Sequence, residues 1–143
     1  MSKLMKISEF TDNQIDKLIA LWKKCGLTRS RKNPEKDIAR KNSDKNGQFL
    51  IGQIDEVLRV SIMIGYDGQW GSLNYLAVDP YLSGAGYGKI LIAEAEQLLV
   101  SVSCPKINFC VRTDNDKVVK FYHQLGYAVE PVHLLGKRLI KGD

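Results

Sequence analysis

Three glycines alternate with other residues at Gly84, Gly86 and Gly88, within the segment PYLSGAGYGKILI that begins at Pro80. Glycine lets the backbone approach a ligand closely, and the amides at the start of a following helix point outward at the positive end of the helix dipole. A diphosphate is a natural ligand for such a segment. The same glycines also suit a plain tight turn, and from this segment alone both interpretations stay open.

Two well-known phosphate motifs do not fit this segment. The P-loop pattern requires a first glycine and a final Ser or Thr at the positions where this chain has Ser83 and Ile90. The dinucleotide pattern G-x-G-x-x-G requires a third glycine where the chain has Lys89. What remains is a strand, a G-x-G-x-G segment and a helix.

The thiols and imidazoles indicate no further chemistry. Cys25, Cys104 and Cys110 are an odd number of cysteines without C-x-x-C spacing, which disfavours disulfides and a zinc site. The two histidines, His123 and His133, supply few further metal ligands. We therefore predict no metal, and we expect Cys110 to be a buried strand residue without a catalytic role.

The first half of the chain predicts one strand, two short helices and three more strands. KLMKISEF opens as a strand, and a helix follows with a capping box at Thr11 and Gln14 and a stop at Gly26. Pro34 suits the first turn of a second helix that runs to Arg40. The remaining strands are predicted in FLIGQI, VLRVSIMIGY and SLNYLAV.

The second half predicts two helices and two strands. A helix follows the glycines and ends before Pro105, and KINFCVR reads as a buried strand. Asp114 or Asn115 caps the next helix, which Gly126 closes, and PVHLLGKRLIK is the last predicted strand. This order predicts a mixed α/β (α+β) sheet with helices on both faces.

The composition and the net charge limit the classes of function that the chain can have. The chain has 143 residues, 44% apolar and 26% charged, with a net charge of +5. These values suit one soluble domain spanning residues 1–143, and no apolar run is long enough for a membrane span or a signal peptide, so we expect a cytoplasmic protein. The positive charge favours anionic partners, with one local cluster at Arg29, Arg31 and Lys32. No nucleic-acid recognition motif is present, and we predict no nucleic-acid partner.

Two segments resemble the signatures of the GNAT acetyltransferase superfamily. YLAVDPYLSGAGYGKILI resembles its acetyl-CoA signature, in which a strand is followed by [Q/R]-x-x-G-x-[G/A] at the start of a helix. RTDNDKVVKFYHQLGY resembles its second signature, N-x-x-[AV]-x-x-[FL]-Y-x-x-x-G-[FY]. Through CPKI, GYDG and GKRL the chain looks most similar to the bacterial YpeA-like branch. The resemblance implies a mostly antiparallel sheet of six to seven strands, and with two motifs present the plain-turn interpretation loses most of its weight.

The resemblance also implies roles for individual residues. The end of the strand before the glycines would pair with the pantetheine arm of acetyl-CoA, and the amides of the glycine segment would hold its diphosphate. Asn115 would contact the cofactor, and Tyr122 would stand beside the thioester sulfur. The implied cofactor-binding residues are Leu76, Ala77, Val78, Ser83, Gly84, Ala85, Gly86, Tyr87, Gly88, Lys89 and Asn115.

The chemistry that follows is direct transfer of an acetyl group to a primary amine, with no covalent enzyme intermediate. A main-chain amide near Ala77 or Val78 would polarise the thioester carbonyl, and Tyr122 would return a proton to the leaving thiolate. Asp67, Glu35 or water would take the proton of the amine. The alternatives are that Tyr122 is only a core aromatic residue, and that the protein is an acyl-CoA-binding module with little catalysis.

The chain departs from the family pattern where the cofactor would bind. Ser83 stands where the family has Arg or Gln, and Ala85 where relatives often have a second basic residue, although Lys89 offers partial compensation. Charge-assisted hydrogen bonds contribute about 1.5–3 kcal/mol each. We therefore predict weaker, strongly salt-dependent binding of acetyl-CoA, by a monomer or homodimer. Ser30 and Arg31 replace a usual Pro-Trp pair, so the resemblance does not identify the acceptor amine.

Overall fold

The computed structural model describes residues 4–28, 33–45 and 47–141. The predicted basic cluster at Arg29, Arg31 and Lys32, and the departure at Ser30, lie outside the described residues. The chain forms two compact units, of which unit 1 ends at Asn108 and unit 2 begins at Phe109.

Unit 1 contains an antiparallel four-stranded sheet in the order β1-β2-β3-β4. The two central strands carry the longest apolar runs, which explains why they are buried on both faces. The strands are β1 (Lys6–Glu9), β2 (Gln48–Ile54), β3 (Val57–Tyr66) and β4 (Gly71–Val78).

The helices begin and end at the residues whose types favour caps. Gln14 accepts a hydrogen bond from the Thr11 N–H at 2.9 Å, and Asn33 accepts one from the Lys36 N–H at 3.1 Å, as expected for N-terminal caps. Gly26 adopts φ +71° just beyond the first helix. The helices are α1 (Ile15–Lys24), α2 (Pro34–Asn42), α3 (Tyr87–Ser101) and α4 (Asp116–Gln124).

One face of the sheet packs against α1 and α2. Trp22 is fully buried there, between the rings of Phe49 and Tyr75. The buried residues of this cluster are Phe10, Leu18, Leu21, Trp22, Ile38, Phe49, Ile51, Leu58, Met63 and Ala77. The residues that alternate with these along the strands, such as Leu50, Ile62 and Ile64, are buried on the other face. On that face α3 packs against β3 and β4. The prediction of helices on both faces is therefore confirmed for unit 1.

Two irregularities interrupt the sheet. In β4, Asn74 pairs with Met63 and Ala77 pairs with Ser61, so two residues of β4 lie opposite Ile62 alone. This β-bulge bends the strand locally. The turn between β2 and β3 consists of Asp55 and Glu56, which both adopt left-handed conformations with φ +52° and +66°.

The described residues hold four strands, so the predicted count of six to seven is not confirmed. Residues 106–112 are not a strand: Ile107 forms a single parallel bridge with Gly71, and Cys110 is exposed rather than buried. The segment from Val132 to Ile140 is likewise not a strand, and its large apolar side chains are exposed. Both segments have strand-like composition, but a strand also requires a paired neighbour, which composition does not provide.

Candidate active site

The glycine segment forms an open loop at the start of α3. Gly84 and Gly86 adopt left-handed conformations with φ +81° and +89°, and Gly86 is the N-cap of the helix. A Cβ atom at either position would meet no other atom within 4 Å. Glycine is therefore required here for the backbone conformation rather than for close packing inside the protein.

Some amides of this loop have internal acceptors and others do not. The Ser83 N–H donates to Pro80 O and the Ala85 N–H to Leu82 O, both at 3.1 Å. We predicted that the Ala85 amide would bind phosphate, but in this structure it is engaged in a turn. The amides of Gly88 and Lys89 lie in the first turn of α3, where a helix provides no acceptor.

Side chains around the loop divide into exposed and buried groups. Ser83 and Lys89 are exposed, so the Lys89 ammonium is accessible to an anion near the helix start. Tyr87 and Gly88 are buried as α3 packs on the sheet. The anion-attracting features of the loop are thus main-chain amides, the helix dipole and one lysine.

The outer edge of β4 leads directly to this loop. Among the residues that the structure describes, β4 has a partner on that side only at Gly71, which bonds to Lys106 O and Asn108 N at 2.9 Å. The later part of the edge, including Leu76, Ala77 and Val78, has no strand partner there. Such an edge can accept an extended ligand through main-chain hydrogen bonds.

A chain of hydrogen bonds fixes the bulge in β4. The Trp22 Nε1–H donates to Ser61 Oγ, and the Ser61 hydroxyl donates to Tyr75 O, each at 3.0 Å. Tyr75 adopts φ +51°, and its ring stacks on Trp22 at 4.0 Å between centroids. The bulge therefore has a defined geometry that is anchored in the core.

The Tyr75 hydroxyl donates a short hydrogen bond to Asp37 of α2. Burial of the ring raises the pKa of Tyr75, and the hydrogen bond to Asp37 raises it further, so the phenol stays protonated as a donor. The other carboxylate oxygen of Asp37 lies 3.7 Å from Arg40, and about a third of the side chain is exposed. We did not predict a role for Asp37 from the sequence. The available signal was its place beside Ile38, an apolar residue of α2 that is buried in the core.

Of the two carboxylates that we predicted as bases, one lies in a turn and the other is exposed on α2. Asp67 accepts hydrogen bonds from the Gln69 and Trp70 amides at 2.7 and 2.6 Å, in the turn between β3 and β4. The Trp70 amide, followed by the Gln69 amide, lowers the pKa of Asp67, which weakens it as a base. Glu35 is exposed, two residues before Asp37 and therefore on a different side of α2.

The junction between β4 and the loop carries a buried charge. Asp79 is 4% exposed, and its carboxylate accepts a hydrogen bond from Arg59 at 2.7 Å and one from the Tyr81 N–H at 3.0 Å. Lys24 lies 3.6 Å away. Burial acts to raise the pKa of Asp79, but the hydrogen bonds and the charges of Lys24 and Arg59 outweigh it and lower the pKa.

The remaining predicted residues lie in unit 2. Tyr122 is buried among aromatic rings, with Phe109 at 4.6 Å and Tyr127 at 5.4 Å between centroids, and burial raises its pKa to about 12. Asn115 caps α4 by accepting a hydrogen bond from the Val118 N–H at 3.4 Å. The glycine loop belongs to unit 1.

The described part of the chain shows no group of three or more His, Cys, Asp or Glu side chains arranged to hold a metal ion. None of its helices combines the length and the apolar character needed to cross a membrane.

Comparison with known proteins identifies the family. Residues 10–127 match the acetyltransferase (GNAT) family, a range that includes the glycine loop, Asn115 and Tyr122. An acetyltransferase of Yersinia enterocolitica is 40% identical over 136 residues, which cover 95% of this chain and 96% of that protein. An acetyltransferase of Sodalis glossinidius is 41% identical over 138 residues, covering 96% and 97% respectively.

Solved structures share the fold at low sequence identity. The aminoglycoside acetyltransferase AAC(6')-Iy in complex with a CoA-containing bisubstrate analogue has a TM-score of 0.79 at 18% identity, with 95% of this chain and 99% of that one covered. The PaiA N-acetyltransferase of Thermoplasma acidophilum in complex with coenzyme A has a TM-score of 0.76 at 21% identity, covering 93% and 94%. The chain has both signatures and the glycine loop before α3, and the family match covers most of its length. It therefore belongs to the GNAT family of acetyltransferases.

Proposed function

We propose that this protein transfers an acetyl group from acetyl-CoA directly to a primary amine in the bacterial cytoplasm. The observation that carries the proposal is the continuity of three features: a bulged strand, β4, whose edge beyond Gly71 has no strand partner in the described part of the chain, a loop with two left-handed glycines, and the start of α3. Together they match the shape of an extended pantetheine arm that ends in a diphosphate. Homologous and structurally similar proteins are named acetyltransferases, which supports the reaction class.

The protein's own groups would hold the cofactor in two places. The edge of β4 at Leu76, Ala77 and Val78 would pair with the pantetheine arm, while the open amides at the start of α3 would bind the diphosphate. Lys89 would add a charge on the loop side and Asn115 a contact from α4. An amide beside the bulge would polarise the thioester carbonyl, since the Trp22–Ser61–Tyr75 chain fixes the backbone there.

In the reaction, the neutral amine nitrogen attacks the thioester carbon and the carbon–sulfur bond breaks. The amine loses one proton and the thiolate gains one, so free coenzyme A and an amide result. Tyr122 would hydrogen-bond to the sulfur and supply its proton. With a pKa of about 12 it is protonated at neutral pH, but it is a weaker acid than a thiol of pKa ~8.5, so the transfer must be coupled to reprotonation from water.

For the proton of the amine we propose Asp37, acting directly or through water. Asp67 is occupied by two amides in a turn and Glu35 is exposed on another side of α2, whereas Asp37 contacts Tyr75 at the bulge. A carboxylate can accept more than the one hydrogen bond that Tyr75 donates. This assignment replaces Asp67 and Glu35 as the preferred base.

The test is a release assay for free coenzyme A with a panel of amines, run on the wild type, Tyr122→Phe and Asp37→Asn. The panel includes a peptide N-terminus, a lysine peptide, a polyamine and an aminoglycoside, the last because structurally similar proteins are named aminoglycoside acetyltransferases. We expect Y122F to lower turnover by about tenfold to a hundredfold, as loss of a proton donor does, while coenzyme A still binds.

Tyr66→Phe serves as the matched control, because the Tyr66 hydroxyl donates to Gly68 O in a turn and has no place in the proposed reaction. Full turnover by Y122F would contradict the role of Tyr122. Coenzyme A binding without turnover of any amine would favour the binding-module alternative.

A further inference from the structure

Asp79 connects β4 to the glycine loop through its main chain as well as its carboxylate. The Asp79 N–H donates to Arg59 O at 2.8 Å, and the Leu82 N–H donates to Asp79 O at 2.8 Å. One residue earlier, Val78 O accepts a hydrogen bond from the Cys25 thiol at 3.3 Å. The junction is therefore tied to β3 through Arg59 and to α1 through Cys25 and Lys24.

Beyond this junction the restraints on the loop are local: the Ser83 N–H donates to Pro80 O and the Ala85 N–H to Leu82 O. Ser83, Gly84, Ala85 and Gly86 are exposed, and the two glycines have no neighbouring atoms at the position of a Cβ. The geometry of the loop therefore depends on its two ends, which are the start of α3 and the junction at Asp79. A ligand that binds main-chain amides is sensitive to small displacements of such a loop.

The charges at the junction are interdependent. The Asp79 side chain is 5% exposed and the Arg59 side chain 30% exposed, so removal of Arg59 would leave the buried carboxylate with the Tyr81 N–H and with Lys24, whose side chain is 59% exposed. A buried charge that loses its partner destabilises the surrounding backbone strongly. Removal of Asp79 would likewise free Arg59 and remove the acceptor of the Tyr81 amide.

We propose that the Arg59–Asp79 ion pair is a positioning device for the coenzyme A loop, and that Arg59 and Asp79 are positioning residues that do not touch the cofactor. The proposal rests on the proposed function, because it assumes that the loop binds the diphosphate of coenzyme A. It assigns no catalytic role to either residue. It requires that the effects of the two residues on cofactor affinity are not additive.

The test is calorimetric titration of coenzyme A into the wild type, Asp79→Asn, Arg59→Met and the double variant. D79N keeps the shape of the side chain and an acceptor for the Tyr81 amide but removes the charge. We expect each single variant to weaken binding about tenfold or more, and the double variant to bind about as weakly as either single one, as for residues in contact.

The steady-state readout separates positioning from a general loss of structure. We expect the KM for acetyl-CoA to rise in D79N while kcat stays within about threefold of the wild type, the pattern of lost binding without lost chemistry. Asp44→Asn is the matched control, because it removes a carboxylate from the ion pair with Lys41, away from the loop. D44N should leave both constants unchanged. If D79N fails to fold, as judged by its thermal melt, Arg59→Lys replaces it and should weaken binding less than R59M does.

Four outcomes would overturn a claim. Binding by D79N within about twofold of the wild type overturns the positioning role, and so do additive losses in the double variant. Loss of binding in R59M but not in D79N would show that Arg59 contacts the cofactor itself, which also overturns the proposal. Failure of the wild type to bind coenzyme A overturns the proposed function.

Discussion

Ser61 is a polar residue that the core requires. Its hydroxyl accepts from Trp22 and donates to Tyr75 O, and it is fully buried. Ser61→Ala would remove the acceptor of the buried indole N–H and the hydroxyl that donates to the Tyr75 carbonyl. We expect a loss of about 1–3 kcal/mol in the free energy of unfolding, measured by urea denaturation. Ser101→Ala, at an exposed position, should change it by less than about 0.5 kcal/mol, and equal effects of the two changes would contradict the argument.

The lowered pKa of Asp79 predicts how stability depends on pH. A carboxyl whose pKa is lower in the folded state contributes stability that is fully present above its unfolded value of ~3.9 and is lost as pH falls through the folded value. We therefore expect the wild type to unfold at higher urea than D79N near neutral pH. The difference should shrink as the pH is lowered below about 4. A difference that stays constant down to acid pH would contradict the assigned ionisation.

At the scale of elements, Gly86 sets the start of α3. It adopts φ +89° as the N-cap, and its carbonyl accepts the first helical hydrogen bond, from the Ile90 N–H. In Gly86→Ala, a side chain in the left-handed region costs about 1–2 kcal/mol, so we expect lower stability and weaker coenzyme A binding as the helix start shifts. Gly136→Ala is the control, since Gly136 has open space and no left-handed φ. Unchanged binding in G86A would show that the helix start is not part of the cofactor site.

Local signals predicted the helices and the first four strands well. The caps at Thr11 and Asn115, the helix start at Pro34 and the stop at Gly26 are all present in the structure. Each depends on the chemistry of a few neighbouring residues, which a sequence displays directly.

Features that depend on residues far apart in the chain were missed. The bulge in β4 depends on Ser61 and Trp22, and the contact of Asp37 with Tyr75 joins positions 38 residues apart. The segments at 106–112 and 132–140 have strand-like composition, but their pairing depends on tertiary structure. The glycine loop was predicted from its residues, whereas the ion pair that supports it was not.

At the scale of the whole molecule, the net charge of +5 acts on an anionic cofactor. Under the proposed function, Ser83 stands where a basic residue would contact the diphosphate, so we expect less of the attraction to come from close contacts and more from long-range charge, which salt screens. We expect the dissociation constant of acetyl-CoA to rise about tenfold between roughly 0.05 M and 0.5 M salt in calorimetry. Nanomolar affinity that is insensitive to salt would contradict this expectation.

The turn at Asp55 and Glu56 shows that this fold is not at its stability limit. Glu56 holds a left-handed conformation that an Asp-Gly pair adopts easily in such hairpins. Glu56→Gly should therefore raise the free energy of unfolding by about 1 kcal/mol, and Glu56→Ala, which keeps the strain, should not. A more thermostable variant would then tolerate the destabilising substitutions in the active site that engineering a new acceptor preference requires.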